Sequence, residues 1–194
     1  MIQSRKRKEE NQRKHLKPGS KPRIPERKKG ILGVTSNHPQ QLPTMPPTGS
    51  ISRTEHFSAA HRLHSPHLSD EENRQVFGKC NHASGHGHNY VLETIVRGPI
   101  DAKTGMVVNI EHLKRWIKAA VLDVADHRNL DADIAFFKTR PSTTENLAVF
   151  IWIRLTQLMP AGLLHKIVVS ETPKNKVVFT GDGLADADFR DCVV

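Results

Sequence analysis

Between positions 78 and 90 the chain reads Gly78-Lys79-Cys80-Asn81-His82-Ala83-Ser84-Gly85-His86-Gly87-His88-Asn89-Tyr90, a thiol followed by a run of imidazoles. If the backbone is extended from His86 onward, His86 and His88 project from one face, because side chains alternate across a strand. That is a spacing for two ligands on one metal ion. Gly85 and Gly87 leave the backbone bare, so an ion or substrate can approach closely and unusual dihedrals cost little. A third nitrogen must come from elsewhere, and His61 in Phe57-Ser58-Ala59-Ala60-His61-Arg62-Leu63 is the best candidate. Three neutral imidazoles suit zinc and leave a fourth position open, as in a catalytic rather than a structural site. Two cysteines exclude a four-thiolate site. Among twelve histidines a His-Gly-His triplet is a weak signal alone, and Cys80 alone reads equally as a small buried hydrophobe.

These residues need elements to hold them. Ile51 to Leu63 reads as a first strand, and residues 64–80 as a polar loop leading to Cys80. From Asn89 to Arg97 the pattern alternates, with Tyr90, Leu92, Thr94 and Val96 on one side, so a strand continues from the triplet until Gly98-Pro99. Met106 to Val108 reads as a short strand. Ile110, Leu113, Ile117, Ala120, Val121 and Val124 recur at helical spacing behind Asn109, a plausible N-cap. Ser142-Thr143-Thr144-Glu145 has the form of a capping box and opens a second helix that runs to Pro160. Two strands follow, near His165–Glu171 and Lys176–Thr180, joined by a turn at Thr172-Pro173-Lys174-Asn175. This order predicts an α+β domain with a mostly antiparallel sheet and helices on one face.

The formal charge of +9 is unevenly placed. Residues 1–50 hold 12 Lys and Arg against 3 acids, whereas residues 51–194 hold 17 of each sign. Seven of the twelve prolines also fall in the first 50 residues, and that composition predicts a disordered basic extension over 1–50. Its Arg5-Lys6-Arg7-Lys8 run reads as a nuclear address or as plain solvated charge. The neutral domain argues against a nucleic-acid partner. No apolar stretch approaches the length of a membrane span, and two cysteines fit a reducing, cytoplasmic setting. Residues 182–194 read as a short loose tail in which Cys192 has no role.

Several segments together resemble the 6-pyruvoyltetrahydropterin synthase family: residues 57–63, Leu68-Ser69-Asp70-Glu71-Glu72-Asn73, residues 76–81, Gly85-His86-Gly87-His88-Asn89-Tyr90, Gly105-Met106-Val107, Asp126-His127-Arg128-Asn129-Leu130-Asp131, Ser142-Thr143-Thr144-Glu145-Asn146 and Glu171-Thr172. They keep the family's order and define a domain over 51–181. The resemblance implies the tunnelling fold, with a four-stranded sheet and two helices, assembled as a homohexamer from two trimers. It implies one zinc ion per subunit on His61, His86 and His88. It further implies conversion of 7,8-dihydroneopterin triphosphate to 6-pyruvoyltetrahydropterin and triphosphate, a lyase step of tetrahydrobiopterin synthesis.

Residue by residue, the same resemblance gives Cys80 the role of general base and makes Asp126 and His127 a proton relay. It assigns the pterin's 2-amino and N3–H donors to Glu171, with a share in proton relay, and sets Thr143, Thr144 and Glu145 beside the ring. Arg62 and Lys79 are the nearby cations offered for the triphosphate. The chain departs from the family at Asn81-His82-Ala83-Ser84, and Arg128 stands where lysine is frequent. The gap between Cys80 and His86 favours the biopterin branch. A same-fold enzyme releasing 6-carboxytetrahydropterin or sepiapterin, or a non-catalytic pterin- or nucleic-acid-binding protein, are the alternatives.

Overall fold

The computed structural model describes residues 45–190 and 192. Most of the expected basic extension therefore lies outside the described residues, and the first strand starts earlier than expected. Strand β1 (Thr48–His61) pairs antiparallel with β2 (His86–Pro99) over its full length, Thr48 opposite Pro99 and His61 opposite His86. Along β2 the predicted alternation holds, with Tyr90, Leu92, Thr94 and Val96 buried and Val91, Glu93 and Ile95 half-open.

Residues 64–80 are not all loop. Helix α1 (Asp70–Phe77) begins at a capping box in which Ser69 Oγ accepts from Glu72 N at 3.3 Å and Glu72 Oε2 accepts from Ser69 N at 2.8 Å. Its sole buried residue is Asn73, whose amide donates to the Ser65, Leu68 and Ser69 carbonyls. A helix held by hydrogen bonds rather than by an apolar stripe leaves no periodicity to read. The Ser-x-x-Glu signature at 69–72 was the available signal.

The expected strand at Met106–Val108 is absent. Asp101 N donates to Met106 O, and Val107 packs beneath Gly49 and Gly98, so this segment is a return turn. The next helix is capped by Asn109 as predicted but comes in three parts: α2 (Ile110–Ile117), a wide π turn (Lys118–Leu122) and α3 (Asp123–Ala125). A two-residue strand, β3 (Arg128–Asn129), then runs parallel to β1. The short α4 (Leu130–Asp133) follows.

Helix α5 (Thr144–Leu158) buries Leu147, Ala148, Phe150, Ile151, Trp152, Ile153 and Leu155, which cover most of its circumference, as befits a central helix. Its cap is Thr143, one residue later than the capping-box reading, so Asn146 rather than Glu145 occupies the third helical position. Strands β4 (Leu164–Ser170) and β5 (Lys176–Phe179) complete an order β3-β1-β2-β4-β5, five strands where four were expected. The extra strand is β3. α5 and the 110–125 helix close over the face that carries Phe57, Tyr90, Leu92, Ile167 and Val169.

The described residues after 181 are not a loose tail. In and around α6 (Asp186–Arg190), Leu184 and Phe189 pack on the core, Asp188 pairs with Arg140 at 3.3 Å, and Cys192 is 1% exposed beside the Phe150 carbonyl. Loss of contact with water pushes the Cys192 thiol up to about 11. No helix among the described residues is long and apolar enough to cross a membrane.

Candidate metal centre and substrate cleft

Strand register builds the imidazole cluster. His61 and His86 are direct cross-strand partners at the end of the β1–β2 ribbon, and His88, opposite Ala59, shares the face of His86. One ring nitrogen from each of His61, His86 and His88 lies within 4.8 Å of the others. The two residues read from strand spacing and the third candidate, His61, are thus brought together.

Their state suits an ion. His61 Nδ1 donates to the Ser142 carbonyl at 2.7 Å, which leaves the Nε2 lone pair directed at the other two rings. His61 Nε2 and His86 Nε2 are 3.1 Å apart, close to the roughly 3.3 Å that zinc–nitrogen bonds near 2.0–2.1 Å impose at tetrahedral angles. His88 Nε2 is buried and has no hydrogen-bond partner, a cost that coordination would remove. Burial holds both His61 and His88 below the ordinary histidine value, toward the neutral form that binds metal. These three imidazoles can hold a metal ion. Tyr90, on the same face, sets its ring edge-on to His61 and His88 and stacks on Phe57. The period-two pattern that found His86 and His88 would also have found Tyr90.

Cys80 stands outside this cluster, in a 3₁₀ turn (Gly78–Asn81) whose Cys80 carbonyl accepts from Leu63 N at 2.9 Å. That bond stitches the turn to the chain just beyond His61. His82 is occupied elsewhere: its Nδ1 accepts from Ser84 N and its carbonyl accepts from Gly85 N, closing the turn into β2. Gly85 is required there, since φ is +66° and a Cβ would sit 2.8 Å from the His61 carbonyl.

Glu171 lies at the end of β4, with Oε1 3.7 Å from His61 Nε2 and 3.6 Å from His88 Nε2. It also lines a cleft of about 440 Å³ with Leu63, Thr143, Thr144 and Glu145. The later helix start turns Glu145 away from capping duty and toward this cleft. Lys174 and Lys176 also line it, a contribution the sequence reading did not anticipate.

Asp126 and His127 are adjacent in space as in sequence, His127 Nδ1 lying 3.0 Å from Asp126 Oδ1. Ser58 pins both: its N–H donates to Asp126 Oδ1 at 2.8 Å and its carbonyl accepts from His127 N at 2.7 Å. The Ser58 amide, and then His127, hold the Asp126 carboxyl below its ordinary value. His127 has φ +59°, a left-handed conformation that a residue with a Cβ adopts at a cost. Its 84% exposed ring borders an open depression lined by Ser58, Ala59, Ala60, Gly87, His88 and Asn89, so residues of both strand parities reach it, His88 among them.

A family model described as 6-pyruvoyl tetrahydropterin synthase matches residues 50–182, and one described as Sof1-like domain matches residues 1–31. A 6-pyruvoyl tetrahydrobiopterin synthase of Drosophila melanogaster is 56% identical over 137 residues, covering 70% of this chain and 81% of the relative. The protein of the same name from Homo sapiens is 50% identical over 132 residues, covering 68% and 91%. Among solved structures, Caenorhabditis elegans 6-pyruvoyl tetrahydropterin synthase superposes with a TM-score of 0.69 at 46% identity, covering 72% of this chain and 99% of that one.

Proposed function

The chain belongs to the 6-pyruvoyl tetrahydropterin synthase family, and from that premise we propose how its side chains divide the reaction. It is a lyase of tetrahydrobiopterin synthesis; the substrate is 7,8-dihydroneopterin triphosphate, and the products are 6-pyruvoyltetrahydropterin and triphosphate. The observation that carries this reading is the convergence of His61, His86 and His88 beside Glu171, which also lines the cleft that holds Glu145.

Zinc on the three imidazoles, one ion per subunit, would polarise the hydroxyl-bearing carbons of the substrate side chain and so acidify their C–H bonds. Glu145, at the start of α5 with no partner among the described residues, receives the 2-amino and N3–H donors of the pterin, and the Thr143 and Thr144 backbone lies beside the ring. Glu171 shares that wall but reaches the imidazoles, so it stands at the reacting end and passes protons there. Cys80, half-buried in the turn tied to Leu63, takes a proton from a side-chain carbon. His127, oriented by Asp126, donates and accepts the remaining protons.

The exposed Asp126–His127 pair serves the cluster of another copy. The homohexamer of two trimers meets that need, and its inter-subunit sheet pairing would cover the edges left by β3 and β5. The setting is cytoplasmic.

The test is incubation of the purified chain with 7,8-dihydroneopterin triphosphate, with the pterin product identified by mass. The expected product is 6-pyruvoyltetrahydropterin, formed by the wild type but neither by Cys80→Ala nor by chelator-stripped protein. Appearance of 6-carboxytetrahydropterin or sepiapterin instead would move the chain to the other branch of the fold.

A further inference from the structure

We propose that Lys174 and Lys176 form the anion subsite that takes the triphosphate of the substrate. The proposal rests on the reading of the cleft given above. The sequence offered Arg62 and Lys79 for this task, and the structure sets them apart from the cleft. Both line a different depression, with Arg74, Gly78, Asn81 and His82. Arg62 is moreover committed: its Nε donates to the Asn81 carbonyl at 2.8 Å and its Nη2 to Asn81 Oδ1 at 3.3 Å, while Arg74 is paired with Glu71 at 2.7 Å.

Lys174 and Lys176 are placed differently. They belong to the same hairpin that presents Glu171, and its geometry is fixed by hydrogen bonds. Glu171 N and Thr172 N donate to the Asn175 carbonyl at 3.2 and 3.5 Å, and Asn175 N donates to Thr172 Oγ1 at 3.1 Å. The turn therefore holds the two lysines at a set place relative to the Glu171 carboxylate, on the rim of the cleft. Neither ammonium has a partner among the described residues, whereas Lys118 and Lys138 each find one.

A wall with two carboxylates and a rim with two free ammonium groups complements a ligand that carries hydrogen-bond donors at one end and several negative charges at the other. A neutral pterin uses only half of that arrangement. Two exposed lysines also suit a group that must leave as free triphosphate, since ammonium–phosphate contacts in solvent are screened and reversible.

The experiment measures binding of inorganic tripolyphosphate and of neopterin, which lacks the phosphates, to the metal-loaded full chain, with Lys174→Ala/Lys176→Ala and Lys79→Ala as variants. Expected is a loss of tripolyphosphate affinity of tenfold or more in the double variant, unchanged affinity in Lys79→Ala, unchanged neopterin affinity in both, and a wild-type affinity that falls with salt. In turnover, KM for the triphosphate substrate rises in the double variant while kcat holds. Tripolyphosphate binding that survives the double substitution, that is lost in Lys79→Ala instead, or that is absent from the wild type overturns the proposal. Tripolyphosphate binding is read without catalysis. A wild type that binds tripolyphosphate through these lysines yet turns over no dihydroneopterin triphosphate would break the functional reading and leave the subsite standing.

Discussion

The imidazole cluster and the Asp126–His127 pair both hang from β1, at His61 and at Ser58, yet they are made in different ways. The cluster is a product of regular strand pairing, largely buried, with a neighbouring carbonyl fixing His61. The pair is a product of a loop, exposed, with His127 in a left-handed conformation that only two backbone hydrogen bonds from Ser58 and an ion pair explain. One is held by the fold at no backbone cost; the other is strain retained by its surroundings. The difference fits the division proposed above, in which the first region holds an ion and the second moves protons.

The comparison breaks most visibly at His88. Replacing it with alanine removes a proposed ligand whose buried nitrogen has no hydrogen-bond partner, so metal content measured by atomic emission should fall to background and activity with it. The loss should exceed the roughly 10–100-fold that removal of an outer-shell partner costs. A His88→Ala protein that keeps stoichiometric metal would show that the cluster is not the metal site.

Asp126→Asn should separate the two regions. Activity falls by about 10²–10⁴, the usual worth of positioned proton transfer, while metal content stays at wild-type level. Asp126 has a lowered carboxyl pKa, so its contribution to stability is present above the ordinary value of 3.8 and is lost as pH falls through the folded value; the acid limb of a melting-temperature profile should flatten in the variant. Loss of metal in Asp126→Asn would mean that the two regions are not independent.

Gly85→Ala tests the strand-built side from its entry turn. A Cβ at φ +66° costs about 1–2 kcal/mol before its 2.8 Å approach to the His61 carbonyl is relieved. Relief must displace the β2 end against β1, so melting temperature and metal affinity should drop together. Unchanged metal affinity in a destabilised protein would show that the register tolerates the shift.

These contrasts also mark what could be read beforehand. Period-two spacing gave His86 and His88, because a strand's geometry is local, and the alternation from Tyr90 to Val96 gave the strand that carries them. The helix over 70–77 escaped because it buries Asn73 and no apolar stripe, and the π turn at 118–122 because a wide turn preserves the apolar pattern it interrupts. Cys192 escaped because thirteen terminal residues with few large apolar side chains show no period, although Leu184 and Phe189 pack on the core and Cys192 lies against the Phe150 carbonyl of α5. The docking of the Asp126–His127 loop on β1 was beyond local reading altogether, since it depends on which peptide of β1 a loop 68 residues later grips.

The smallest expected effect is the most discriminating about strain. His127→Gly removes the ring and so should abolish the proton-relay activity, but it also frees a left-handed position. The conformation costs a residue with a Cβ about 1–2 kcal/mol, while glycine returns roughly 0.5–1 kcal/mol to the unfolded state as extra chain entropy. The balance is a gain of up to about 1.5 kcal/mol, or a rise in melting temperature of a few degrees for a chain of this size. The ring is 84% exposed and offers little packing to lose. A more stable but inactive variant would show that this stretch carries a cost that only its chemistry explains; a lower melting temperature would show that the imidazole and Asp126 hold the loop to β1, making the pair as structural as the cluster.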